Sequence, residues 1–382
     1  MESEIFNLNE GVSFDDSITK SEVHSYSPYI SGPYLQSSEV IITIQNEDVY
    51  TLPSQSFIRI RGVLLKNNGQ HPTTTWIIRN GVLHLFSRIS YNLNGIELDS
   101  VRDPGITCTI KNYLNLTRNE LPVAKMAGWG NEENFKVSVY EGGKFEICVP
   151  LATILGFADD YKHIIINSKQ ELVFSLANTW NNSVLASEEN PENMILSLLT
   201  IKWMVPHIEV KTQERLRLLK FIEKGKDIEL SFRSWTLESY PSLPRSHSIN
   251  WNVKFTLGSE RFQFIILGFQ KERQNTITAD KSIFDQVNIK NVKVFLNSQA
   301  VPVIHSCFGL LNLTKVNHDG RPRDLRLNSI ALLYSKVRKR KYADWENYRT
   351  KVVNLLRIYI NKKFNKRLGN CNIKYTLILG QP

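Results

Sequence analysis

Between residues 249 and 257 the chain alternates without a fault. Trp251, Val253, Phe255 and Leu257 take one parity, and Asn252, Lys254 and Thr256 take the other. Successive side chains of a strand point to opposite faces, so this spacing puts one face on a core and the other in water. Residues 39–45 do the same with Val40, Ile42 and Ile44, and residues 56–65 set Ile58 and Ile60 against Arg59 and Arg61. Similar short runs at 76–78, 82–86, 87–93, 144–150, 162–166, 171–176 and 197–205 make a first set of about eight strands. A second set begins at 227–233 and continues through 249–257, 262–269, 288–296, 352–361 and 372–379. Many short strands without helices between them favour antiparallel sandwiches over βαβ units, and about eight strands per module favour a jelly roll.

A chain of 382 residues exceeds the size at which one core usually stops growing, so two modules are expected. The joint falls at WMVPHIEVKTQERLRLLKFIEKG, residues 203–225, read as a strand end, a break at Pro206 and a short helix. Thr212 would cap that helix, and Leu218, Phe221 and Ile222 would form one apolar stripe packed beside both modules and fixing their orientation. The divisions are then a mobile arm at 1–35, a first module at 36–206, the joint at 207–226 and a second module at 227–382. Two further helices are expected. Residues 106–116 would turn Ile106, Ile110, Tyr113 and Leu114 inward, and residues 323–340 place Ile330, Leu333, Tyr334 and Val337 at helical spacing.

The halves echo one another. Leu93-Asn94-Gly95 closes one strand and Leu296-Asn297-Ser298 another, 203 residues later, and each is followed by a candidate helix. This order points to an internal duplication.

At this point the residues resemble a family. VYTLPSQSFIRIRGVLL, NGVLHLFSRISYNLNGIELDSVRDPGITCTIKNYL, FEICVPLATILGFADDYKHIII, WMVPHIEV, FQFIILGFQ and FDQVNIKNVKVFLNS are similar, in matching order, to the double jelly-roll proteins of insect and other invertebrate genomes. Those are related to the major capsid proteins of double-stranded DNA viruses and of virus-like transposons. The resemblance implies an all-β fold of two tandem antiparallel jelly-roll sandwiches, with short helices in loops and at the joint. It also implies a capsid-like structural protein of viral or transposon descent that self-associates into homotrimers and shells, located in a virion where it assembles and intracellular otherwise. The resemblance carries over no catalytic residues and implies no enzyme; no cofactor, metal or small-molecule substrate is expected. The chain departs from the family between Pro302 and Lys351, where YADWENYRTK does not read as a strand, so the second sandwich is expected to be atypical and one strand short.

Charge is uneven. Residues 311–382 hold 17 Lys+Arg and 4 Asp+Glu, which exceeds the net +10 of the whole chain. The densest run is Lys336-Val337-Arg338-Lys339-Arg340-Lys341, near Tyr334, Tyr342, Trp345 and Tyr348. Lys336, Arg338, Lys339, Arg340 and Lys341 suit phosphate contact or nuclear import; the plainer reading is a solvated helix end whose cations meet the helix dipole. A non-assembling, basic-tailed nucleic-acid-binding protein is therefore the alternative function.

Other chemistry is thin. Cys108, Cys148, Cys307 and Cys371 form no CxxC pair and are expected as free thiols of a reducing compartment. The eight histidines are scattered, without HxH or HExxH, and read as surface or loop residues. Asp159-Asp160 reads as a turn feature before a cation site, and no GxSxG or Walker-type loop occurs. Asn115, Asn181 and Asn312 open N-x-S/T triplets that read as chance. The acidic N-terminus lacks the basic-then-apolar order of a secretory signal, and no apolar run reaches the ~18 residues of a membrane span. Neither export nor membrane insertion is expected. Trp203, Trp235, Trp251 and Phe255 are expected in the sandwich cores.

Overall fold

The computed structural model describes residues 17–45, 49–130, 135–187, 194–224, 228, 230–240, 248–254, 264–285, 289–296, 299–301, 330–334, 355–362 and 373–381. Among the described residues sixteen strands make up the two four-on-four sandwiches, and the short strands Tyr50–Thr51 and Ile165–Ile166 extend one sheet of the first. The first eight are β1 (Ile18–Tyr26), β2 (Glu39–Ile44), β3 (Phe57–Lys66), β4 (Phe86–Leu93), β5 (Ile96–Arg102), β6 (Lys144–Pro150), β7 (Gln170–Leu176) and β8 (Met194–Val210). The next eight are β9 (Ser234–Tyr240), β10 (Ser248–Lys254), β11 (Phe264–Lys271), β12 (Ile289–Leu296), β13 (Gln299–Val301), β14 (Ile330–Tyr334), β15 (Leu355–Lys362) and β16 (Ile373–Gln381). Helices are short: α1 (Pro104–Asn115), α2 (Leu121–Met126), α3 (Leu151–Ile154), α4 (Gly156–Asp160) and α5 (Thr212–Glu223).

The pairings in the two halves are the same. The first sandwich sets β1-β8-β3-β6 over β2-β7-β4-β5, and the second sets β9-β16-β11-β14 over β10-β15-β12-β13, all antiparallel. Every strand of the second half occupies the place of the strand eight earlier. The hairpins β4–β5 and β12–β13 keep the offset read from the sequence, since Phe86 and Ile289 open them and Leu93 and Leu296 end their first strands. Asn94 and Gly95 both take positive φ, 50° and 81°, as a two-residue hairpin turn requires.

The core of the first sandwich follows the alternation. Ile58, Ile60 and Leu64 of β3 and Phe145, Ile147 and Val149 of β6 face Ile42 and Ile44 of β2, Leu172 and Phe174 of β7, and Tyr91 of β4. On β8 the buried parity changes from Leu196 and Leu198 to Ile201, Trp203 and Val205. A bulge between Leu198 and Thr200 causes the change, because one extra residue reverses the side chains that follow it through Val205. The buried Trp203 donates from Nε1 to Ser56 Oγ at 3.0 Å. Trp235 and Trp251 are buried as expected, whereas Phe255 lies outside the described residues.

Several expectations need correction. Residues 18–26, read as part of a mobile arm, form β1, the edge strand that pairs with β8 from Ile18↔Val210 to Tyr26↔Trp203. Its side chains are exposed at eight of nine positions, so backbone pairing and not burial makes it a strand. Pro206 is not a break: β8 runs through it to Val210, with its carbonyl accepting from Leu52 N at 3.0 Å. Residues 81–85 form a 3-10 turn where a strand was expected. Ile330–Tyr334 is strand β14, paired with Phe264–Gly268, so this stretch of 323–340 is not helical and the second sandwich has its eight strands. Finally, α5 forms, but Lys211 is its cap residue and none of its residues is buried, so it does not fix the two sandwiches against each other.

Candidate functional site at the seam between the sandwiches

The orientation of the sandwiches is set by α1 and α4, which leave the first sandwich and meet the second. Asp103 takes φ 42° and turns the chain out of β5, and Pro104 opens α1, where a missing N–H costs nothing. One face of α1 sends Cys108 into the first core. The other packs Ile110, with Ile106, Tyr113 and Leu114, against Trp235, Leu237, Ile266 and Phe284 of the second sandwich. These are the inward residues expected of this helix; the surface they meet belongs to the other half.

Polar contacts tie the seam. Tyr113 Oη accepts from Arg79 Nη1 at 2.6 Å and donates to Ser282 O at 3.3 Å, so a residue of the first half bridges to the second. The Arg79 guanidinium also lies 5.4 Å from the Trp129 ring centroid. Lys111 is buried on α1; its Nζ donates to Ala152 O at 3.4 Å and sits 5.3 Å from the Trp235 ring centroid. Burial pulls its pKa below the usual lysine value. Asp99, buried beneath α4, accepts from Phe157 N at 2.9 Å, and burial raises its carboxyl to about 6. His84 is buried against Gly105, where a Cβ would stand 2.3 Å from Nδ1, and burial, with the nearby Lys281 cation, lowers its pKa to about 3.

At α4 the second half comes so close that only glycine fits: a Cβ on Gly156 would lie 1.7 Å from Arg233 O. Arg233 then donates from N, Nε and Nη2 to the Asp160 carboxylate. Further along, Asn275 N donates to Asn182 Oδ1 at 2.7 Å, and Ala186 N donates to Ile277 O at 2.6 Å.

Several residues singled out in the sequence find plain roles here. Asp160 of the Asp159-Asp160 pair holds Arg233. His84 is buried, not a surface histidine, because the turn at 81–85 folds it under α1. His24 and His207 stack with ring centroids 3.9 Å apart, and Tyr26 Oη lies 2.8 Å from His207 Nε2. Cys108 and Cys148 are free thiols. Among the described residues no group of three or more His, Cys, Asp or Glu could hold a metal ion, and no helix is long and apolar enough to cross a membrane. Lys336, Arg338, Lys339, Arg340 and Lys341 lie outside the described residues.

Two eight-stranded sandwiches of one strand order, joined through a packed seam, define a double jelly roll. The family model for the double jelly roll-like domain matches residues 76–315, more than half the chain, and this chain belongs to that family. A comparison with curated proteins finds no match. Among solved structures, a chain of the Sputnik virophage aligns with TM-score 0.59 and 10% identity over 98% of this chain and 88% of the other. The Faustovirus major capsid protein gives 0.57 and 9% over 99% and 92%, and the mavirus major capsid protein 0.52 and 10% over 99% and 90%. At these identities the likeness is one of fold. The fold is that of viral capsid proteins.

Proposed function

We propose that this chain is a structural subunit of viral or transposon descent that self-associates into trimeric capsomers, and that it is not an enzyme. The carrying observation is the seam. Two sandwiches of identical strand order, fixed by α1, by Gly156 against Arg233 and by the Asp160–Arg233 pair, make one chain a block of two like units. Three such blocks related by a three-fold axis give six like units around a ring, which closes by one repeated heterologous contact and can tile a shell. The chain divides between β8 and β9, with β1 counted in the first module. Such an assembly would place the protein in a virion, and inside a cell when unassembled.

Light scattering on purified protein tests the reading. The expected mass is three times 44.0 kDa, with three-fold particles in negative stain. A monomer at every concentration would overturn it. One observation favours a second reading: 17 Lys+Arg against 4 Asp+Glu in residues 311–382 suit contact with a polyanion, in an assembled or non-assembling chain.

A further inference from the structure

The helix α5 leaves β8 with its apolar side chains in water. Leu216, Leu219, Phe221 and Ile222 are 53%, 42%, 44% and 45% exposed, and no residue of α5 is buried. An isolated helix of 12 residues is marginal in water, and most helix stability comes from packing an apolar face. A cover is needed.

The chain supplies one at the right place. β1 and β8 run antiparallel to Ile18↔Val210, and one step further Lys211 N donates to Ser17 O at 2.9 Å. The residue that starts α5 is thus bonded to the residue that ends segment 1–16. That segment, MESEIFNLNEGVSFDD, carries Glu2, Glu4, Glu10, Asp15 and Asp16 and no Lys or Arg. Residues 211–224 carry Lys211, Arg215, Arg217, Lys220 and Lys224 against Glu214 and Glu223, and Glu214 lies 3.6 Å from Arg217. The acidic segment also offers Ile5, Phe6, Leu8, Val12 and Phe14.

We propose that residues 1–16 of the same chain dock along α5, setting their apolar side chains on the stripe of Leu216, Leu219 and Ile222 and their carboxylates against its cations. Sixteen residues reach up to about 50 Å when extended, and α5 is about 18 Å long, so the tether is ample. Attachment at Ser17 holds the segment at an effective concentration on the order of millimolar, an advantage that a second copy must overcome. The inference stands for monomer and capsomer alike.

Carbodiimide coupling of carboxylates to amines tests it on the full chain. Equal amounts of ¹⁴N and ¹⁵N protein are mixed in urea, refolded together, coupled and digested. Amide links from Glu2, Glu4 or Glu10 to Lys220 or Lys224, each within one isotope, are expected. Mixed-isotope links would overturn the proposal by showing a second copy as the cover. Absence of these links, while Lys169 and Glu171 (2.7 Å apart) do couple, would also overturn it. As a second readout, the variant Ile5→Asp/Phe6→Asp is expected to exchange its α5 amide hydrogens at least tenfold faster while β3 and β8 stay protected. Unchanged exchange in α5 would overturn the proposal.

Discussion

Arg233 reaches across the seam and clasps Asp160 three times: its backbone N donates to Oδ2 at 2.7 Å, Nε to Oδ2 at 2.8 Å and Nη2 to Oδ1 at 2.5 Å. A fork-on-carboxylate geometry fixes orientation as well as distance. Arg233→Ala is expected to cost about 1–3 kcal/mol in urea unfolding, with the loss smaller at high salt because both side chains keep some exposure. The guanidinium hydrogen bond holds the Asp160 pKa below the usual carboxylate value. Its contribution is therefore present above about pH 4 and is lost as pH falls through the lowered value of the folded state, so the gap between wild type and Arg233→Ala should close in acid.

Gly156 carries the second prediction. Gly156→Ala sets a methyl 1.7 Å from Arg233 O, so either α4 or the start of β9 must move. The obstacle is backbone, which means trimming the neighbour does not relieve it. Gly156→Ala/Arg233→Ala is expected to unfold no later than Gly156→Ala alone, and chemical denaturation of the two variants decides it. Recovery in the double variant would place the conflict in the arginine side chain instead.

These two residues also show what the sequence makes legible. The alternating strands, the duplication and the helix at α1 are written locally, in period and in turn residues such as Asn94-Gly95. The β1 strand is not, because ITKSEVHSY buries almost nothing and owes its conformation to the backbone of β8. IALLY in β14 is a continuous apolar run of five residues, too short for its period to separate strand from helix. The seam is the hardest feature to read. Gly156, Asp160 and Arg233 look like ordinary loop residues until the fold brings positions 73 residues apart into contact. The expectation that the joint helix would orient the sandwiches fails for the same reason: amphipathic spacing in α5 announces a partner without saying which.

His84 makes stability depend on pH. Burial favours its neutral ring and lowers its pKa to about 3, while the unfolded chain binds a proton near 6.5. The unfolded state then holds the extra proton between those values, so stability is full above about pH 6.5 and falls as pH drops toward 3, by at most about 1.4 kcal/mol per pH unit. Asp99, raised to about 6 by burial, works the other way over its upper range, since its folded form binds the proton more tightly. His84→Gln is expected to flatten the loss of stability between pH 6.5 and 4, and Asp99→Asn to steepen it. Urea midpoints across that interval check both signs; the slopes decide, because either substitution also carries a packing cost at every pH.

The basic C-terminal fifth allows a test that separates phosphate contact from a merely solvated surface. Each phosphate neutralised by Lys or Arg releases condensed counterion, so the logarithm of the binding constant falls with the logarithm of salt by about 0.9 per contact on duplex DNA. If Lys336, Arg338, Lys339, Arg340 and Lys341 all touch phosphate, replacing the five by Gln or Ser should reduce that slope by about 4 to 5 and weaken binding equally for unrelated sequences. A smaller change counts the contacts directly. An unchanged slope would move the interface to the other cations of residues 311–382, and binding that ignores salt would remove the polyanion reading. The measurement is independent of assembly, because the light-scattering mass of the same variant shows whether the capsomer survives the loss of charge. A variant that keeps its mass and loses its slope would assign the segment to cargo and the sandwiches to the shell.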